Sequence, residues 1–255
     1  MDARLAVLFA LAAVACGGER RASERFDVTA RFPHDSGAYT QGLFWADSVL
    51  YESTGRYGHS DVRRVDLTTG RVLAKHDLAP DKFGEGLALA GGRLYQLTWK
   101  SGIAYVYDPA TLALVDSIRY PGEGWGLTTD GAQLVMSDGS DSLRFMEPST
   151  FRVDRVVHVR DNGQPIQQLN ELEFVNGDVL ANVYQSNWIV RVDPANGNVR
   201  ETIDFADLYP KRAGYTDVMN GISLSPDGKQ LLLTGKMWPV MFEVRLKPPA
   251  DTTHP

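Results

Sequence analysis

Five side chains of functional type recur along the chain, each followed by a small or acidic residue and then an aliphatic one. They are Gln41 in Thr40-Gln41-Gly42-Leu43, Glu85 in Phe83-Gly84-Glu85-Gly86-Leu87, Trp125 in Gly124-Trp125-Gly126-Leu127, Asn170 in Leu169-Asn170-Glu171-Leu172, and Asn220 in Met219-Asn220-Gly221-Ile222. If these positions only packed a core, they would carry apolar residues. Glu85 is the sole carboxylate of the five, and so the one among them able to shuttle a proton. Gln41, Asn170 and Asn220 supply amide donors and acceptors, and Trp125 supplies a flat apolar wall. Such a set suits proton transfer on a small molecule held by a few convergent hydrogen bonds.

The elements that must position these residues follow from the spacing. By subtraction of their numbers the five lie 44, 40, 45 and 50 residues apart, in the range of a four-stranded propeller blade. After each start the sequence repeats one plan: an inner strand, a tight turn, a second strand, a loop, a third strand ending in Asp or Glu, and an outer strand. Asp130-Gly131, Asn176-Gly177, Gly91-Gly92 and Asp227-Gly228 occupy matching turns, where residues that tolerate positive φ are needed. The reading is all-β, a five-bladed propeller of four-stranded antiparallel blades. Only 205–209 offers any helical period. The fifth repeat is one strand short, and the alternating segment 26–32 stands alone before the first start, so it is expected to complete the last blade and close the ring. Closure removes open strand edges. A β-sandwich would use similar strands and turns but gives no reason for five equivalent starts.

Composition narrows the function classes. A net charge of −6, without a long Lys/Arg run, excludes a bulk electrostatic partner such as nucleic acid. Arg4 followed by the apolar run 5–15 reads as an export signal, too short to span a bilayer. It ends at Ala13-Val14-Ala15-Cys16-Gly17, which resembles a bacterial lipoprotein signal with Cys16 as the lipidated residue; a plain secretory signal is the alternative. The expected organisation is a signal at 1–15, a tether at 16–25, the propeller at 26–247 and a polar tail at 248–255. Membrane contact would come only through a lipid on Cys16, placing the protein in the periplasm or on the outer membrane, or else free after secretion. Cys16 is the one cysteine, so an intramolecular disulfide and a catalytic thiol in the folded domain are both excluded.

Antiparallel order returns the chain to the starting face after the second strand, so the repeat starts share a face with the loops joining second to third strands. Those loops carry Glu52, Trp99, Lys100, Trp188, Lys236 and Trp238, and with Trp125 four of the five tryptophans gather on one rim. The histidines, at 34, 59, 76, 158 and 254, lack the spacing of a zinc site. Asp138-Gly139-Ser140-Asp141 reads as a polar loop, with a structural calcium ion as the alternative. Gly122-Glu123-Gly124-Trp125-Gly126 precedes a strand rather than a helix and is no dinucleotide fingerprint.

Tyr39-Thr40-Gln41-Gly42-Leu43, Phe83-Gly84-Glu85-Gly86-Leu87, Leu97-Thr98-Trp99-Lys100, Glu123-Gly124-Trp125-Gly126-Leu127, Leu169-Asn170-Glu171-Leu172-Glu173 and Met219-Asn220-Gly221-Ile222 together resemble the plant-type and bacterial glutaminyl cyclases. The resemblance spans 26–246. It implies a five-bladed propeller that converts N-terminal glutamine of peptides to pyroglutamate with release of ammonia, and no required cofactor or catalytic metal; separately, the chain is expected to act as a monomer. It makes Glu85 the acid/base carboxylate, Gln41, Asn170 and Lys236 polar positioning groups, and Trp99, Trp125 and Trp188 the walls around the substrate side chain. Glu171 stands where the other repeats have Gly, which loosens the match over the last two blades. Lys100, Asn220 and Glu52 are further candidates: Lys100 or Lys236 as an ion-pair partner that would make Glu85 structural, Asn220 as a ligand in a calcium-dependent lactonase or esterase reading with Glu85 and Asn170, and Glu52 as a carboxylate on the same face. A non-catalytic peptide-binding propeller is the remaining reading.

Overall fold

The computed structural model describes residues 25–212 and 214–248. The expected signal, all of the tether but residue 25, and the tail beyond residue 248 lie outside them. Among the described residues there is no helix.

Four blades are consecutive runs of strands, each an antiparallel meander. Blade one comprises β2 (Thr40–Ala46), β3 (Val49–Thr54), β4 (Asp61–Val65) and β5 (Val72–Asp77). Blade two comprises β6 (Gly84–Ala90), β7 (Arg93–Thr98), β8 (Ile103–Tyr107) and β9 (Leu114–Arg119). Blade three runs β10 (Leu127–Thr129), β11 (Leu134–Met136), β12 (Ser142–Met146) and β13 (Val153–His158). Blade four follows a small hairpin of β14 (Arg160–Asp161) and β15 (Gln164–Pro165), and runs β16 (Leu169–Val175), β17 (Asp178–Val183), β18 (Trp188–Val192) and β19 (Val199–Asp204). The fifth blade joins the two ends of the propeller: β20 (Met219–Leu224), β21 (Leu231–Gly235) and β22 (Val240–Leu246) pair in order, and β1 (Phe26–Pro33) adds to β22 in a register from Phe26 opposite Leu246 to Pro33 opposite Val240. The closure expected from the missing strand is therefore present. Segment 205–209 forms turns instead of a helix, with Phe205 and Leu208 buried in the last blade interface.

The core lies between the blades. Phe44 and Tyr51 of blade one meet Leu87, Leu94 and Tyr107 of blade two, and Leu43 and Leu50 meet Leu232 and Met241 of blade five. In blades one to four an acidic residue after the third strand staples the next turn. Asp66 Oδ1 accepts the Thr69 N–H at 2.9 Å, Asp108 Oδ1 that of Thr111 at 2.9 Å, and Asp193 Oδ1 that of Ala195 at 2.8 Å. These Asx turns fix where the outer strand begins.

Candidate active site

Around the axis the inner strands approach too closely for side chains. A Cβ on Gly42 would sit 2.6 Å from the Leu87 nitrogen, and one on Gly126 would run into the Asn170 carbonyl. This is why glycine follows the functional residue at three of the five starts; at a fourth, Gly221 is required by its φ of 124°. Glu171 takes that place in blade four by sending its side chain across the axis. Its Oε1 accepts the Leu43 N–H at 3.2 Å and its Oε2 the Ile222 N–H at 2.7 Å, tying blade four to blades one and five.

The pairing of first and second strands slips at the same places: between Thr40 and Gly42, Gly84 and Leu87, Leu169 and Leu172, and Met219 and Ile222. A bulge of this kind leaves residues out of the ladder and re-aims their side chains. The residues left out include Gln41, Glu85, Asn170 and Asn220.

Asn220 Nδ2 donates to the Thr40 carbonyl at 3.0 Å and to Gln41 Oε1 at 3.2 Å, and Gln41 Nε2 donates to Glu85 Oε1 at 3.1 Å. The Asn220 contact fixes which end of the Gln41 amide faces Glu85. Above this relay opens a cavity of about 210 Å³ lined by Gln41, Glu85, Asn170 and Lys236 with Tyr39, Phe83, Trp99, Trp125 and Tyr184. Glu85 is 5% exposed and Lys236 is 3% exposed. Burial pushes the Glu85 carboxyl well above the ordinary carboxylate range; the Lys236 charge opposes the shift and the Glu123 charge adds to it. Burial likewise pushes the Lys236 ammonium down, against the pull of Glu85 and Asp217. Its Nζ lies 4.8 Å from the centre of the Tyr39 ring and 4.9 Å from that of Tyr184, a cation held between two aromatic faces. Asn170 Oδ1 is buried and lacks a hydrogen-bond donor, although it lines the cavity. Such an atom fits a site whose ligand brings an N–H.

Six of the residues singled out in the sequence thus share one cavity: Gln41, Glu85, Trp99, Trp125, Asn170 and Lys236. Asn220 lies one hydrogen bond behind Gln41. Trp188 does not line the cavity. It opens β18 with 41% of its surface exposed, and Tyr184, four residues earlier, supplies that wall. Trp238, expected on the rim, is fully buried against Tyr209 and Phe242 and donates its indole N–H to the Asp217 carbonyl at 2.9 Å. Lys100 is exposed and stands 3.9 Å from Glu123 Oε1 rather than pairing with Glu85. Glu52 faces away into the blade one and blade five junction, where Oε1 meets His34 Nε2 at 2.9 Å and accepts from the Thr40 hydroxyl at 2.7 Å.

Tyr39, Phe83 and Tyr184 were missed, although a signal for the first two exists. Each lies two residues before a functional side chain, on the same side of an extended chain. Asp138 and Asp141 are engaged by Arg144 at 2.7 Å and His158 at 3.1 Å. Among the described residues, no three His, Cys, Asp or Glu side chains group as metal ligands would.

The chain is similar to known proteins in sequence and in fold. The sequence pattern of the glutamine cyclotransferase family matches residues 3–246. Over 227 residues the chain is 42% identical to a glutaminyl-peptide cyclotransferase of Arabidopsis thaliana, an alignment covering 87% of this chain and 71% of that protein. The crystal structure of Myxococcus xanthus glutaminyl cyclase superposes with a TM-score of 0.81 at 36% identity, covering 88% of this chain and 97% of the other.

Proposed function

The chain is an enzyme of the glutamine cyclotransferase family, and we propose that it closes the N-terminal glutamine of a peptide to pyroglutamate with Glu85 as general acid and base. The observation that carries this reading is one buried carboxyl at the base of an aromatic cavity, hydrogen-bonded by Gln41 and raised in proton affinity by its burial.

The substrate's α-ammonium loses its proton near pH 7.7–8.0 in water. A carboxylate of ordinary acidity is a poor base for it, whereas one raised by burial is better matched. Glu85 takes a proton from the ammonium, and the free amine attacks the γ-carbonyl carbon. A C–N bond forms and the carbonyl oxygen gains negative charge. Glu85 then returns its proton to the γ-nitrogen, the C–N bond to that nitrogen breaks as ammonia leaves, and the carbonyl re-forms. The ring nitrogen sheds its extra proton to Glu85, and ammonia carries that proton away as ammonium, restoring the carboxylate. Lys236 and the Gln41 amide stabilise the developing oxyanion. Asn170 Oδ1 accepts the hydrogen that a substrate N–H brings. The aromatic walls fold the glutamine chain so that amine and amide meet, the proximity contribution of an intramolecular reaction.

Glu85 and the departing ammonia between them account for every proton in this sequence, so the reading requires no metal or cofactor. Incubating the protein with a Gln-initiated peptide should release one ammonia per peptide, and EDTA should leave the rate unchanged. No ammonia release would end the proposal, and loss of turnover with EDTA restored by calcium would favour the lactonase-like alternative.

A further inference from the structure

We propose that Glu123 is the positioning residue that sets the two indole walls of the cavity, an inference resting on the cyclotransferase reading of the site. Trp99 follows the second strand of blade two, and Trp125 opens blade three. Between them the loop after β9 brings in Glu123, whose Oε2 accepts the Trp99 Nε1–H at 2.7 Å and the Trp125 Nε1–H at 3.0 Å. An indole has a single N–H donor, while a carboxylate oxygen has two lone pairs. Sharing that one oxygen fixes the two rings relative to each other across a blade boundary.

The rest of the loop is built to hold this arrangement. The Gly124 N–H donates to the Trp99 carbonyl at 3.1 Å, and a side chain at Gly124 would run into the Tyr120 hydroxyl. Glu123 Oε1 faces Lys100 Nζ at 3.9 Å, and the same ammonium lies 3.9 Å from the centre of the Trp99 ring. Trp99 is therefore held at its edge by the carboxylate and on a face by the cation, while Phe83 packs against it at 5.5 Å. The Glu123 side chain is 41% exposed, so its removal opens no core.

Walls of this kind grip the substrate side chain before and during the reaction alike, and losing such uniform binding raises KM while leaving kcat. Glu123→Gln keeps a carbonyl oxygen for both indoles and removes the charge; Glu123→Ala removes both. The charge of Glu123 also raises the proton affinity of Glu85, so Glu123→Gln should shift the acid limb of the kcat profile to lower pH.

The test is a ¹⁵N–¹H spectrum of the indole groups together with steady-state kinetics on a Gln-initiated peptide. In Glu123→Ala the Trp99 and Trp125 N–H signals should both move and KM should rise about tenfold, the loss of roughly one charged hydrogen bond, with kcat within about twofold. Glu123→Gln should hold KM near the wild-type value. Unmoved indole signals in Glu123→Ala, or an equal rise of KM in both variants, would overturn the proposal. A wild-type protein that releases no ammonia would instead sink the cyclotransferase reading, and the indole signals would still decide the role of Glu123.

Discussion

At the scale of single residues, the site depends on a carboxyl and an ammonium that are both nearly buried and line one cavity. Lys236 lowers the proton affinity of Glu85 while burial raises it. Replacing Lys236 by Met removes the opposing charge, so the Glu85 pKa rises further. Because Glu85 must be ionised to take the first proton, the acid limb of kcat should move to higher pH in Lys236→Met; a limb that stays in place would show that Lys236 does not act on Glu85. The sequence made Glu85 legible because it is the only carboxylate among five equivalent starts. It made Trp188 misleading, since residue type alone does not tell that Tyr184 reaches the cavity while Trp188 has already entered the outer part of the blade.

At the scale of elements, periodic turns and spacing revealed the blades and the strand that closes them. The bulges were not legible, because a bulge reflects how two strands fit around a crowded axis and leaves no fixed residue signature. Glu52 shows the same limit: it stands inside β3 rather than in the loop after it, and its side chain turns to the closure point. There His34, directly after β1, sets Nε2 on Glu52 at 2.9 Å and Nδ1 on the Trp238 carbonyl at 2.6 Å, two acceptors that only the protonated ring satisfies. Burial alone would lower the His34 pKa, but the charge and hydrogen bond of Glu52 and the Trp238 carbonyl hold it above its ordinary value. Burial would raise Glu52, yet His34, Arg63 and Thr40 hold it below.

The signs follow by linkage. The His34 contribution is complete below about pH 6.5 and fades as pH climbs through the raised folded pKa, and the Glu52 contribution is complete above about pH 4.3 and fades as pH falls through the lowered one. Closure should be firmest between those limits. Removing one partner of such a buried pair costs about 3–5 kcal/mol, so His34→Gln should lower Tm sharply and flatten its decline above neutral pH. A variant whose Tm still falls with pH as the wild type's does would assign that decline to other groups.

At the scale of the whole molecule, the acidic chain folds a ring whose apolar wedges lie between blades and whose polar groups collect at one mouth of the axis. The family relationship accounts for the ring and the general chemistry; the roles within the cavity rest on geometry. Residues 5–16 lie outside the described part of the chain, and the apolar run ending at Cys16 supports the proposal of export with lipid attachment there. Cys16→Ser should then move the protein from the membrane fraction to the soluble one. If the exported wild type is already wholly soluble, the plain secretory alternative holds.

Whether Glu85 moves the protons of cyclisation is read from kcat of Glu85→Gln on a Gln-initiated peptide, with Tm recorded on the same sample. The amide keeps the size of the carboxyl and can still meet Gln41, but it cannot exchange a proton at accessible pH. If Glu85 does move them, kcat should fall about 10²-fold or more, with KM and Tm close to wild type. A Glu85→Gln enzyme turning over at full speed per folded molecule would contradict that role.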